Sequence, residues 1–139
     1  MPTATFTFRQ FAIRQDKTAM KAGTDGVLLG AWCDVDNAST ILDIGTGTGL
    51  IALMCAQRAS DATITAIEID QDAYKQAVEN VNESRFRDRI TVINEDFRDY
   101  CNGNSKTFSH IVSNPPLGIE LSGRTVEVYL CAVPLHGCV

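Results

Sequence analysis

ILDIGTGTGLIAL, residues 41–53, carries a strand, a turn and a helix in quick succession. The apolar run over 40–44 reads as a short buried strand, and residues 50–59 as a buried helix of strong helix formers. Gly45, Gly47 and Gly49 lie between them, where the backbone must turn tightly and approach a ligand closely. The spacing departs from the dinucleotide fingerprint, which would place a glycine where Leu50 stands. Asp43 adds a carboxylate beside the loop. It would repel a pyrophosphate but suits an ammonium group, which points away from NAD and toward a nucleotide bearing an amino acid. A purely structural glycine turn is the plainer alternative.

Outward from this stretch the pattern is regular. Residues 62–69 form a second apolar strand that carries Glu68, 19 positions after Gly49. That is close to the roughly 20-residue spacing at which an acid takes ribose hydroxyls. Residues 71–83 form an amphipathic helix with Ala73, Tyr74, Ala77, Val78 and Val81 on one side, and Asp70 and Asp72 read as its capping residues. A third strand over 89–94 leads to Asp96 and Phe97, a carboxylate and a ring suited to the amine and face of an adenine. A fourth strand, 109–113, stops at Asn114-Pro115-Pro116, because neither proline offers an N–H to a ladder. Strands that are apolar on both faces and alternate with helices imply a parallel sheet covered by helices. Ligands of such sheets collect at the carboxyl ends of the strands, where all these groups fall. Two fixed prolines let the Asn114 amide and nearby carbonyls face one point and grip a planar amine. An amine held so can attack a methyl carbon without a strong base, since its proton can leave afterwards.

The N-terminal part is organised differently. Phe6, Phe8, Phe11 and Ile13 alternate with polar residues as in two short strands. Residues 17–24 read as a loop, and a helix begins near Asp25, interrupted by Gly30. After Pro116 the tail has no helical stripe, although 126–133 has the composition of a strand. The chain of 139 residues is one domain at most, with 45% hydrophobic and 21% charged residues. Its net charge of −5 disfavours nucleic acid, but residues 1–22 carry a local +3 from Arg9, Arg14, Lys17 and Lys21 against Asp16. Arg85, Arg87 and Arg89 form a second basic cluster, read as solvated surface in preference to a phosphate contact. Five cysteines, scattered and without C-x-x-C spacing, read as reduced thiols of a cytoplasmic protein and do not support a metal site. No apolar run approaches the roughly 18 residues of a membrane span, and the N-terminus lacks the order of a secretion signal.

Taken together, these residues resemble class I S-adenosylmethionine-dependent methyltransferases, which pair an acid-x-Gly-x-Gly-x-Gly loop with a ribose-binding acid. Amino-methylating members carry Asn/Asp-Pro-Pro followed by an aromatic residue. FRQFAIRQDKTAMKAGTDGVLLGAW, residues 8–32, is similar to the start of bacterial tRNA(Val) adenine-N6 methyltransferases. The resemblance implies an α/β, Rossmann-like class I methyltransferase fold, mostly parallel, with helices on both faces. It implies S-adenosyl-L-methionine as cofactor and tRNA as partner, the methyl going to an exocyclic adenine amine in the anticodon loop. Lys21, Gly23, Thr24 and Asp25 are carried over as cofactor contacts. Asp43 with the glycines would hold the methionine part, Glu68 the ribose, and Asp96 with Phe97 the adenine. Asn114, which also borders the cofactor, would form the acceptor site with Pro115, Pro116 and the residue after them.

That next residue is Leu117, where the family has an aromatic ring to stack on the flipped target base. The resemblance ends there, so the fold is expected to be incomplete after the fourth strand. A reading-frame change near Pro116 or an artificially shortened chain would each account for it. The expected organisation is an N-terminal segment, 1–33, packing on the cofactor site, a core over 34–116 and an atypical tail over 117–139. Two other functions stand beside the first: a non-catalytic S-adenosylmethionine-binding fragment, and an N-methyltransferase acting on a protein amide or small-molecule amine. An uncovered sheet edge would also suit a homodimer.

Overall fold

The computed structural model describes residues 5–18, 23–114, 120–121 and 124–125. In chain order the elements are β1 (Thr5–Thr7), β2 (Ala12–Arg14), α1 (Thr24–Trp32), β3 (Thr40–Ile44), α2 (Leu50–Arg58), β4 (Thr63–Glu68) and α3 (Gln71–Glu83). A 3-10 turn at Arg87–Arg89 then leads to β5 (Ile90–Asn94), α4 (Phe97–Gly103) and β6 (His110–Ser113), followed by β7 (Glu120–Leu121) and β8 (Arg124–Thr125).

Four strands form one parallel sheet in the order β5-β4-β3-β6. The registers align Ile44 with Ile67 and with Ser113, so the strand exits lie side by side. Strand alternation sorts the apolar residues onto two faces. Ile41, Ile64, Ala66, Ile90 and Val112 join the cluster built with Leu53, Cys55 and Ala56 of α2, Val81 of α3 and the N-terminal Phe11 and Ile13. Leu42 and Ile67 face the other way, toward Tyr100 and Phe108, with Ile44, Ile93 and Ile111 beside them. Helices cover both faces, as the pattern implies. The sequence reading had no helix over 97–103. Its cause is local: the Asp96 carboxylate caps the first turn by accepting from the Arg98 amide at 2.7 Å, and Tyr100 is buried against the sheet.

The N-terminal residues are part of the main core. β1 and β2 pair antiparallel, Phe8 stacks on Phe11 at 4.6 Å, and Phe11 meets Phe86 edge-on. Two buried amides of α3 hold the chain after β2. Asn80 accepts from the Arg14 amide at 2.8 Å and donates to the Arg14 carbonyl at 2.9 Å, while Gln76 accepts from the Lys17 amide at 3.0 Å. The buried face of α3 is therefore Ala73, Gln76, Ala77, Asn80 and Val81, rotated from the purely apolar stripe that spacing implied.

Other local expectations are adjusted. Asp70 caps α3, accepting from the Ala73 amide at 2.8 Å, whereas Asp72 lies exposed in the first turn and caps nothing. Gly30 sits inside α1 because the helix needs it: a Cβ there would lie 2.5 Å from the Met54 sulfur of α2. Arg89 turns inward, donating to the carbonyls of Ala59 at 2.9 Å and Ala62 at 2.8 Å beyond the end of α2. Cys33 and Cys55 are buried free thiols. Among the described residues, no helix is long and apolar enough to cross a membrane. The strand-like stretch at 126–133 lies outside them.

Candidate functional site

The sheet reverses its direction of winding between β3 and β6, the first and fourth of its strands in the chain. In open α/β sheets the crevice outside the strand ends at such a point is where ligands bind. The glycine loop leaves β3 there, and Asn114 leaves β6 there.

The loop is shaped by its glycines. Gly45, Gly47 and Gly49 have φ of +69°, +57° and +85°, a region side chains rarely adopt. The amides of Gly45 and Thr46 donate to the Ile67 carbonyl at 2.8 and 3.0 Å, which ties the turn to the end of β4. A Cβ on Gly45 or Gly47 would meet no described residue within 4 Å. A Cβ on Gly49 would instead lie 3.6 Å from that of Ala77, so this glycine stands at the contact with α3.

Two carboxylates flank the loop. Asp43 is 1% exposed; its Oδ2 accepts from the Thr46 hydroxyl at 2.7 Å, while its Oδ1 is buried with no partner among the described residues. Burial pushes its pKa up to about 6; the Thr46 hydrogen bond and the Ala52 amide oppose this, and the Glu68 charge adds to it. Glu68 closes β4 from the other side. Its Oε2 accepts from the Gly47 amide at 2.8 Å and its Oε1 from the Asp70 amide at 3.0 Å, leaving lone pairs on both oxygens.

Asp96 and Phe97 stand at the next strand exit as the cap and first residue of α4, with Phe97 37% exposed. One residue escaped the sequence reading. Ile69, counted there as the end of a strand, lies beyond it and is 66% exposed. Its carbonyl and that of Glu68 accept from the Asn94 side chain, which binds this exit to that of β5. The available signal was an apolar residue directly after the ribose-type acid.

Asn114 is brought to the first turn of α1. A Cβ on Gly26 would lie 3.3 Å from its Nδ2. Gly23 is the N-cap of α1, with Thr24 and Asp25 exposed just after it. The structure thus gathers Asp43, the glycines, Glu68 and Asn114 around one crevice. Lys21, Pro115, Pro116 and Leu117 lie outside the described residues.

Fold and site together define an open α/β nucleotide-binding domain with an acidic glycine loop. The sequence model of the methyltransferase small domain matches residues 21–129, and the chain belongs to that family. It is 57% identical over 112 residues to the tRNA1(Val) (adenine(37)-N6)-methyltransferase of Bacteroides fragilis, covering 80% of this chain and 47% of that protein. The Trichodesmium erythraeum protein of the same name is 58% identical over 113 residues, again covering 80% and 47%. The chain thus spans about half the length of the curated relatives it matches. A Pyrococcus horikoshii transferase has a similar fold, with a TM-score of 0.63 at 21% identity over 78% of this chain and 41% of that one. So does the Bacillus cereus O-methyltransferase solved with SAH, with a TM-score of 0.60 at 21% identity over 71% and 48%.

Proposed function

We propose that this chain binds S-adenosyl-L-methionine and carries the catalytic half of a tRNA adenine-N6 methyltransferase. The observation that carries the reading is the meeting of the glycine loop and Asn114 at the switch point of the sheet. The buried Asp43 Oδ1, unpartnered among the described residues, and the space over Gly45 and Gly47 that no described residue fills fit a cofactor bearing an ammonium group. When bound, S-adenosylmethionine supplies an electrophilic methyl group. Asp43 and the glycine loop would hold its amino-acid end, and Glu68 its ribose hydroxyls. Ile69 and Phe97 offer apolar flanks to its adenine, with the Asp96 carboxylate beside them. Lys21, Gly23, Thr24 and Asp25, from the 1–33 segment, would border the same crevice.

Asn114, with Pro115 and Pro116 after it, would accept the N–H groups of the target amine and keep its nitrogen lone pair free. The names of these relatives support adenine 37 of tRNA1(Val) as the target. Such a substrate places the protein in the cytoplasm. Self-association along the outer edge of β6 belongs to the same reading; sedimentation velocity should give a dimer that His110→Lys makes monomeric, since an edge lysine opposes pairing. A monomer from the unaltered chain would remove that part.

Calorimetry with S-adenosylmethionine and transfer of labelled methyl to unmodified tRNA test the main proposal. Binding with transfer is expected, and Leu117→Tyr should raise transfer, base stacking on an aromatic being worth roughly 1 to 3 kcal/mol. Binding without transfer, unchanged by Leu117→Tyr, would leave a non-catalytic cofactor-binding domain. Transfer to a peptide or a small amine but not to RNA would move the activity to that substrate class. Absence of binding in a folded sample would defeat the proposal.

A further inference from the structure

We propose that Gly26 is a positioning residue: its missing side chain lets α1 seat the Asn114 amide. The inference rests on the reading of Asn114 as the group that holds the target amine. Gly26 is buried in the first turn of α1, where an added Cβ would meet two groups, Asn114 Nδ2 at 3.3 Å and Leu50 Cδ2 at 3.4 Å. The nearer group is the nitrogen of the Asn114 amide, so the amide presents its nitrogen end to the helix. No hydrogen bond to a described residue fixes this amide, which leaves packing against the α1 backbone to orient it.

The helix itself is anchored. One turn on, Gly30 sits directly on Met54. At the end of α1, the Arg58 guanidinium donates to the carbonyls of Gly30 at 3.1 Å and Cys33 at 2.6 Å. A methyl group at position 26 therefore displaces the Asn114 side chain and not the helix. Alanine is the better helix former, so the substitution separates site geometry from fold stability.

The test compares the chain with its Gly26→Ala variant in three measurements. They are the side-chain NH2 resonances of Asn114 in a 15N-labelled sample (identified by their loss in Asn114→Asp), calorimetry with S-adenosylmethionine, and methyl transfer to unmodified tRNA. The Asn114 resonances should shift, and kcat should fall about tenfold or more, with a clearly smaller loss of cofactor affinity because Asn114 only borders that ligand. Adding Leu50→Val, which frees the other neighbour, should leave the loss in place. Unmoved resonances, a parallel loss of cofactor affinity and kcat, or recovery in the Leu50→Val background would each overturn the inference. If the unaltered chain binds cofactor but transfers nothing to RNA, the acceptor reading fails. The resonances and the cofactor affinity then decide the role of Gly26 on their own.

Discussion

Asp43 is a carboxyl group that water barely reaches, and its ionisation is costly until a cation arrives. Its folded pKa of about 6 lies above the unfolded value near 3.9. Between those values the folded chain keeps a proton that the unfolded chain has released, so stability falls as pH rises through this window. The full penalty, roughly 3 kcal/mol, applies above about pH 6. Asp43→Asn should therefore raise the urea midpoint at neutral pH, flatten its pH dependence and weaken S-adenosylmethionine binding. In the unaltered chain an ammonium ligand favours the ionised form, so calorimetry should show affinity falling below about pH 6. Gly47 gives a second test at this scale. Its φ of +57° strains any other residue, and a methyl there would project where no described residue lies within 4 Å. Gly47→Ala should lower stability by about 1 kcal/mol and reduce cofactor affinity by more than that strain explains. Both positions were legible in the sequence, because a glycine or an acid at a strand exit states its requirement locally.

The elements are held by polar side chains whose roles the sequence does not disclose. Asn80 is the clearest. Besides the Arg14 backbone it donates to the Thr48 carbonyl at 2.8 Å, so one buried amide joins α3 to the end of β2 and to the glycine loop. Its partners lie 66 and 32 positions away. Nothing in the period of α3 separates it from an exposed asparagine. Asn80→Ala should cost about 3 kcal/mol by stranding buried backbone groups, and hydrogen exchange should show the amides of residues 12–17 losing protection first. Arg89 was likewise read as solvated surface, yet its guanidinium stands 5.6 Å from the Phe86 ring and serves carbonyls beyond α2. Helix α4 escaped notice for a different reason. It has seven residues with Tyr100 alone buried, too short for a period to register.

Across the whole molecule the N-terminal segment and the sheet share one core. Phe11 and Ile13 belong to the same cluster as Ile41, Ile64 and Val112. The boundary expected after residue 33 therefore does not divide the core. Urea unfolding should accordingly be a single transition, with the far-UV dichroism and the labelling of the buried Cys33 and Cys55 thiols changing together. Labelling at lower urea than the loss of dichroism would show that α1 and its surroundings come away first.

The sequence by itself determined the strand-loop-helix unit, the parallel sheet and the acids at its strand exits. Each follows from short-range signals: apolar runs, glycine spacing and a carboxylate within a few residues of a turn. Tertiary structure alone decided that Asp43 keeps an unpartnered oxygen, that Gln76 and Asn80 are buried, and that two glycines of α1 are points of close approach. These depend on contacts between distant parts of the chain, such as the 88 positions separating Gly26 from Asn114. A residue's type limits what it can do in such a contact, but only folding chooses its neighbour.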